Sequence, residues 1–175
     1  KREGLIFIFF QIKKLLFDKI LIGLPTYILS LFFLVIIRLI SPFYLMRIDQ
    51  IHSSRMGHFA GNIEQYLSQK DKNINTPNSK YLDIFFLDGK ICNSFLLKKW
   101  KKVLLIGPRF ILFRIYILNA ILPGGNKHLI FNHFDDHDPY QVIDNTKSHI
   151  TFSKKEIEQG KKKLLEMGIP TNSKI

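Results

Sequence analysis

The sequence has little or none of what several enzyme classes need. It contains one cysteine, Cys92, so no disulfide can form within the chain, which fits a reducing compartment. It also lacks the glycine-rich phosphate loop ending in Gly-Lys-Ser/Thr, the Gly-x-Ser-x-Gly turn and the Cys-x-x-Cys pair. P-loop nucleotide hydrolysis, α/β-hydrolase chemistry and thiol redox chemistry are therefore not predicted.

Acidic residues are scarce relative to basic ones. There are 14 Asp and Glu against 26 Lys and Arg, and the net charge is +12. This balance predicts an anionic partner, namely nucleic acid, a membrane surface or a phosphorylated substrate. The lysine pair Lys13-Lys14 flanks apolar sequence and favours a membrane, whereas Lys98–Lys102 and Lys161–Lys163 are typical of solvated helix faces. The aromatic residues are not interleaved with arginine, so nucleic acid is not expected as a partner.

The first part of the chain is strongly apolar. Residues 20–37 carry no charge and approach the roughly 20 residues that cross a bilayer as a helix. Residues 5–17 include two lysines and are expected to form an interfacial amphipathic helix. We therefore expect residues 1–43 to be a membrane-associated helical segment; a cleaved signal peptide and a helix buried in a protein core are the alternatives. Basic residues on both sides leave its orientation open.

From residue 44 onward, short apolar runs alternate with helical patterns. Strands are expected at 44–48, 81–87, 103–106 (buried) and 129–131. Helices are expected at 57–69, 93–100, 109–122 (buried) and from 154. This alternation predicts an α/β domain over residues 44–175, with a Rossmann-like, mostly parallel sheet and flanking helices.

The end of the sequence predicts an unfinished domain. Ser153 and Glu156 match a capping box, and Gly168 and Pro170 match a helix stop. An α/β chain normally enters its next strand after such a stop, so we expect the domain to be truncated at its C-terminus. A complete small protein with a polar tail is the alternative.

The segment from Arg55 to Leu67 is the main candidate for chemistry. It places Gly57 and Gly61 between a strand and a helix, where backbone N–H groups and the helix dipole favour a phosphate or carboxylate. The glycines would permit close backbone approach and tight helix packing. Arg55 would clamp a diphosphate, and His58 is the candidate catalytic base.

Two further residues of this helix, Asn62 and Glu64, are expected to meet sugar hydroxyls. The glycine spacing is not the dinucleotide fingerprint, so a nicotinamide enzyme is disfavoured. An ordinary strand-to-helix turn remains the alternative interpretation of the whole segment.

A second polar cluster runs from His133 to Asp138. Its residue types suit a hard or borderline cation, and Asp136 and Asp138 form an Asp-x-Asp pattern. Three residues of this form often arise by chance, and the segment also fits a polar loop. No metal or cofactor is therefore expected.

Several segments together resemble a family of bacterial glycosyltransferases linked to surface carbohydrate biosynthesis. They are Arg55–Leu67, Tyr81–Ile84, Asn93–Trp100 and Phe152–Pro170. The most specific motif is Arg-x-Gly-His-x-x-x-Asn-x-Glu, which begins at Arg55. The resemblance implies a two-domain GT-B-like architecture, of which this chain is the membrane anchor and most of the N-terminal domain. A second domain would hold most contacts to the nucleotide-sugar, so this chain by itself is expected to be inactive.

The expected function is therefore transfer of a sugar from a nucleotide-sugar donor to a surface-glycan or lipid-linked acceptor. The resemblance implies a bacterial inner-membrane location with the catalytic domain on the cytoplasmic side. Two alternatives stay open. One is a non-enzymatic membrane or assembly subunit that docks on anionic lipid through basic faces. The other is a metal-dependent transferase or hydrolase that uses residues 135–138.

Overall fold

The computed structural model describes residues 23–130, 138 and 140–170. The predictions for residues 1–22, for the strand end at 131, for most of the acidic cluster and for 171–175 fall outside these ranges. The helices are α1 (Leu24–Ile40), α2 (Ile63–Asp71), α3 (Ser94–Trp100), α4 (Arg109–Ile121) and α5 (Lys154–Glu166). The strands are β1 (Leu45–Ile51), β2 (Tyr81–Leu87) and β3 (Leu105–Ile106). A π-helical turn (His58–Asn62) leads into α2, and a 3₁₀ turn spans Asn126–His128.

The strands form one parallel sheet in the order β1-β2-β3. Leu129 makes a parallel bridge to Ile48, on the edge of β1 that β2 leaves free. Successive strands are therefore added first on one edge of β1, whereas Leu129 lies on the other edge. The strand order thus reverses between β1 and Leu129. The predicted α/β fold with a parallel sheet and flanking helices is confirmed. Open sheets of this kind bind ligands outside the carboxyl ends of the strands, where the strand order reverses.

Each side of the sheet has its own core. On one side, residues from β1 and β2 pack with the π-helical turn, α2 and α3; the buried members include Ile51, Phe59, Tyr66, Phe85 and Trp100. On the other side, Ile48 and Phe86 pack against residues of α1 and α4. β1 and β2 are therefore covered on both faces, which is typical of parallel sheets and explains the nearly continuous apolar sequence of β2.

The prediction of a buried strand at 103–106 is wrong in length and in burial. Val103 and Leu104 turn at the end of α3, where both N–H groups donate to the carbonyl oxygen of Trp100 at 3.0 and 2.8 Å. Only two residues remain in β3, and Leu105 is 50% exposed. The predicted buried helix at 109–122 has nearly the right bounds, but its outer side faces solvent.

α1 occupies most of the segment expected to enter a membrane. Pro25 lies in its first turn, where a missing N–H costs nothing. Ser30, Leu34 and Ile37 form its buried side against α4 and the sheet. Within the described ranges, no helix combines the length and the apolar character needed to cross a bilayer. The first residues of the expected span, 20–22, lie outside those ranges.

α5 begins with the predicted capping box. Ser153 Oγ accepts a hydrogen bond from the Glu156 N–H, and the Glu156 carboxylate accepts one from the Ser153 N–H. Lys99 holds the helix to α3, because its Nζ lies 2.6 Å from Glu156 Oε2 and 2.8 Å from the Thr151 carbonyl oxygen. The Lys99 side chain is only 4% exposed. The interpretation of Lys98–Lys102 as a solvated helix face is therefore wrong for Lys99.

Candidate functional site

A small cleft opens at the carboxyl end of β1, on the side of β1 that pairs with β2. Its cavity volume is about 10 Å³, and the surrounding space, which includes its open mouth, is about 280 Å³. Its lining combines the end of β1 with the π-helical turn, α2 and their neighbours, and consists of Asp49, Gln50, Ile51, His52, His58, Asn62, Ile63, Tyr66, Phe85 and Leu104. An apolar wall with a few converging polar groups is the usual composition of a small-molecule site.

A buried ion pair lies next to this cleft and contacts Tyr66, one of its lining residues. Arg47 Nε and Nη2 donate to the two carboxylate oxygens of Asp83 at 2.7 and 2.8 Å, and Tyr66 Oη donates to Asp83 Oδ2 at 2.5 Å. Arg47 Nη1 also donates to the carbonyl oxygen of Asn75. Paired, hydrogen-bonded charges of this kind can stay ionised in a core. Burial, and after it the Asp83 charge, raises the pKa of Tyr66, which remains a phenol.

Asp49 is the carboxyl group that faces the cleft. It lies two residues beyond Arg47, so both side chains point to the same side of the sheet. It is only 4% exposed, and Oδ1 accepts a hydrogen bond from the Gln50 N–H at 2.7 Å. Burial raises the pKa of Asp49 to about 7, against the lowering effect of that hydrogen bond. A carboxyl group with such a pKa can take up and release a proton near neutral pH.

His58 lines the cleft from the π-helical turn. The side-chain amide nitrogen of Asn62 lies 3.1 Å from His58 Nδ1. Because that nitrogen carries only donor hydrogens, Nδ1 accepts, and the neutral imidazole keeps its proton on Nε2. His58 therefore offers an N–H donor in this arrangement. The predicted role of His58 as a base remains a prediction, and the hydrogen bond favours a donor role.

The π-helical turn receives a hydrogen bond from outside the helix. The carbonyl oxygen of Phe59 accepts a hydrogen bond from the indole Nε1 of the buried Trp100 at 2.9 Å. The N–H of Ile63, which would reach Phe59 in a regular α-helix, donates to Ala60 instead. Such turns are rare and are found often at functional sites. This one places His58 and Asn62 together at the cleft.

His52 supplies the second imidazole. Its ring centroid lies 6.0 Å from that of His58, and its Nδ1 lies 3.8 Å from Asp88 Oδ2. Asp88 is held in turn by the hydroxyl groups of Ser53 and Ser54 at 2.7 and 2.8 Å. Partial burial acts to raise the pKa of Asp88, but these hydrogen bonds outweigh it and the pKa is lowered. An ionised Asp88 therefore stands beside His52.

Of the predicted site residues, the structure brings His58 and Asn62 into the cleft. Arg55 and Gly57 are exposed at the start of the helical segment and do not line the cleft. Glu64 is turned elsewhere, because its Oε1 accepts from the His149 N–H at 2.9 Å and lies 3.1 Å from His149 Nδ1. In this structure Glu64 holds the segment before α5 rather than facing a sugar site.

The expected reason for the two glycines is wrong in part. Gly57 has helical backbone angles, and a Cβ atom added at Gly57 or Gly61 would meet no atom within 4 Å. Tight packing against another helix therefore does not require either glycine. The open space beside them leaves ligand approach as a prediction.

The acidic cluster contributes little to the described structure. Asp138 is the one member of 133–138 inside the described ranges, and its Oδ2 accepts a hydrogen bond from the Ile143 N–H at 2.8 Å. No group of three metal-ligating side chains occurs among the residues with described positions. The remaining members of the predicted cation site lie outside those positions.

Comparison with known proteins gives no match to a family model, to a curated protein or to a solved structure. The proposal of a function therefore depends on the fold, the cleft and the sequence motif.

Proposed function

We propose that this chain belongs to a membrane-associated glycosyltransferase with a GT-B-like architecture. It would transfer a sugar from a nucleotide-sugar donor to a surface-glycan or lipid-linked acceptor. The supporting observation is the convergence of Asp49, His52 and His58 at the carboxyl end of β1 in a parallel sheet. The Arg-x-Gly-His-x-x-x-Asn-x-Glu motif supports the same assignment, because its His58 and Asn62 line this cleft.

In the proposed reaction, an acceptor hydroxyl oxygen attacks the anomeric carbon of the donor sugar. The bond between that carbon and the nucleoside diphosphate oxygen breaks, and the diphosphate leaves with the electron pair. Asp49 in its ionised form takes the hydroxyl proton, because its raised pKa matches this task near neutral pH. The His58 N–H donates a hydrogen bond to a substrate oxygen. Arg55 and the helix start remain the predicted partners of the diphosphate, which such groups can stabilise without a metal.

Because the resemblance places most contacts to the nucleotide-sugar in a second domain, the test uses the full-length protein. It measures release of nucleoside diphosphate from a panel of UDP-glucose, UDP-N-acetylglucosamine and GDP-mannose, with a bacterial lipid extract as acceptor. Asp49→Asn keeps the shape of the side chain but cannot take a proton. We expect it to lower kcat by about 100-fold or more with little change in KM, the usual contribution of a general base. Asp144→Asn, an exposed change outside the cleft, serves as the matched control.

His58→Ala tests the donor role. We expect a smaller loss than for Asp49→Asn, since hydrogen bonding to the substrate is weakened while the base stays. Long-range ¹⁵N NMR of the imidazole groups should show His58 protonated on Nε2. Unchanged turnover in both Asp49→Asn and His58→Ala would overturn the assignment of the cleft as the site of transfer.

A further inference from the structure

The outer sides of α1 and α4 are as apolar as their inner sides. On α1, the exposed stripe repeats at helical spacing opposite Leu34 and Ile37; its members are Ile28, Leu31, Phe32, Val35 and Leu39, which are 49–70% exposed. On α4, the exposed stripe consists of Phe110, Phe113, Ile117 and Ile121, which are 38–71% exposed. Helices that are apolar on all sides normally lie in a core or in contact with lipid.

The two helices form one surface rather than two isolated stripes. Arg38 Nη2 on α1 donates to the Asn119 side chain on α4 at 3.2 Å, and Ser30 Oγ reaches the Ile111 carbonyl oxygen at 3.5 Å. The guanidinium carbon of Arg114 lies 4.5 Å from the centre of the Tyr27 ring. We call the exposed apolar side of this pair the α1/α4 face.

The α1/α4 face is large for an uncovered surface. Nine half-exposed aliphatic and aromatic side chains amount to an area on the order of 1,000 Å², above the few hundred Å² of the largest apolar patch on a typical monomer. An area of this size marks an interaction surface.

The charged residues in the two stretches of sequence that contain α1 and α4 are all of one sign. No Asp or Glu occurs between residues 19 and 48 or between 89 and 134. The basic residues within the described part of these stretches include Arg38, Arg109, Arg114 and Lys127. A cationic rim complements anionic lipid headgroups. A second copy of this surface would instead bring like charges together.

We propose that the α1/α4 face docks on an anionic lipid bilayer, with its apolar stripes in the boundary between headgroups and acyl chains. The helices would lie along the membrane surface, in the manner of an interfacial rather than a spanning helix. Asp49 lies on the opposite side of the sheet from α1 and α4, so docking leaves the cleft uncovered. This inference names the partner surface for the membrane association within the proposed function, and it rests on different residues.

The test is co-sedimentation of the full chain with phosphatidylcholine vesicles that contain or lack phosphatidylglycerol, at low and high salt. We expect binding to the anionic vesicles that weakens with salt. The double variant Leu31→Glu/Ile117→Glu should lower the partition coefficient about tenfold or more, because it places two carboxylates where lipid is expected. The matched control is Leu165→Glu/Ile157→Glu, which changes similarly exposed residues of the same types on α5.

Several outcomes would overturn the docking proposal. They are absence of vesicle binding by the wild-type chain, equal binding to neutral and anionic vesicles, and equal losses in the two double variants. A wild-type dimer that becomes monomeric in Leu31→Glu/Ile117→Glu, without vesicle binding, would assign the face to self-association instead. Thermal unfolding of each variant checks that it is folded. Asp49→Asn should bind vesicles like the wild type, so failure of sugar transfer and failure of docking are distinguished.

Discussion

Replacing Asp49 with asparagine is expected to change how the free energy of unfolding depends on pH. Burial raises the pKa of Asp49 in the folded protein from 3.8 to about 7. A carboxyl group with a raised pKa favours folding when protonated, so its contribution is fully present below the unfolded pKa. That contribution is lost progressively as pH rises from about 4 to about 7.

The size of the effect follows from the shift. A difference of about three pKa units corresponds to about 4 kcal/mol between the fully protonated and fully ionised limits. Asp49 is only 4% exposed, so solvent screening reduces this value little. Between about pH 5 and about pH 8, ionisation of Asp49 should cost about 3 kcal/mol of stability. Asparagine keeps the oxygen that accepts from the Gln50 N–H but does not titrate.

Urea unfolding at a series of pH values measures this directly. The wild type should lose stability relative to Asp49→Asn as pH rises, and the difference between the two should change by about 3 kcal/mol over that range. All other titrating groups are shared, so they cancel in the difference. Asp144→Asn should run parallel to the wild type. If the difference in the free energy of unfolding between Asp49→Asn and the wild type stays constant with pH, the assignment of a buried carboxyl group with a pKa near 7 at the cleft is refuted.

Three further changes test the scaffold. Asp83→Asn leaves Arg47 buried without its charge partner and should lower the free energy of unfolding by about 3–5 kcal/mol in urea titrations. Gly125→Ala would place Cβ 1.8 Å from a backbone oxygen of α4 and should lower the free energy of unfolding by more than about 1–3 kcal/mol. Gly160→Ala lies in open space within α5 and should raise the free energy of unfolding by about 0.5–1 kcal/mol. Equal melting temperatures of the two variants would contradict this. Lys99→Met removes the charged anchor of α5, so amide exchange across that helix should accelerate while β2 stays protected.

Features with local signals were predictable from the sequence. Tyr81–Leu87 is a strand with the expected bounds, since its apolar run ends at an Asp-Gly turn. Asn93 caps α3 by accepting from the Leu96 N–H at 2.9 Å, and Ser153 with Glu156 forms the capping box of α5. These features depend on residues a few positions apart, so short sequence windows contain them.

Features created by contacts between distant residues could not be predicted in the same way. The sequence predicts a strand that ends at Ile48 and therefore does not place Asp49 in the candidate site. Arg47 and Asp49 are nevertheless two positions apart along β1, the spacing of residues that face the same side of a sheet. The π-helical turn is contacted by Trp100, which lies in α3. The contact that turns Glu64 away from the cleft comes from His149, before α5. None of these pairings has a local sequence signal.

The central claim is that the cleft at the end of β1 is a site of sugar transfer with Asp49 as the base. The most direct measurement is the pH dependence of kcat for nucleoside diphosphate release by the full-length protein, compared between the wild type and Asp49→Asn. We predict that the wild-type rate rises with pH through about 7 and that Asp49→Asn is about 100-fold slower without this rise. A wild-type rate in Asp49→Asn, with the same pH profile, would contradict the claim.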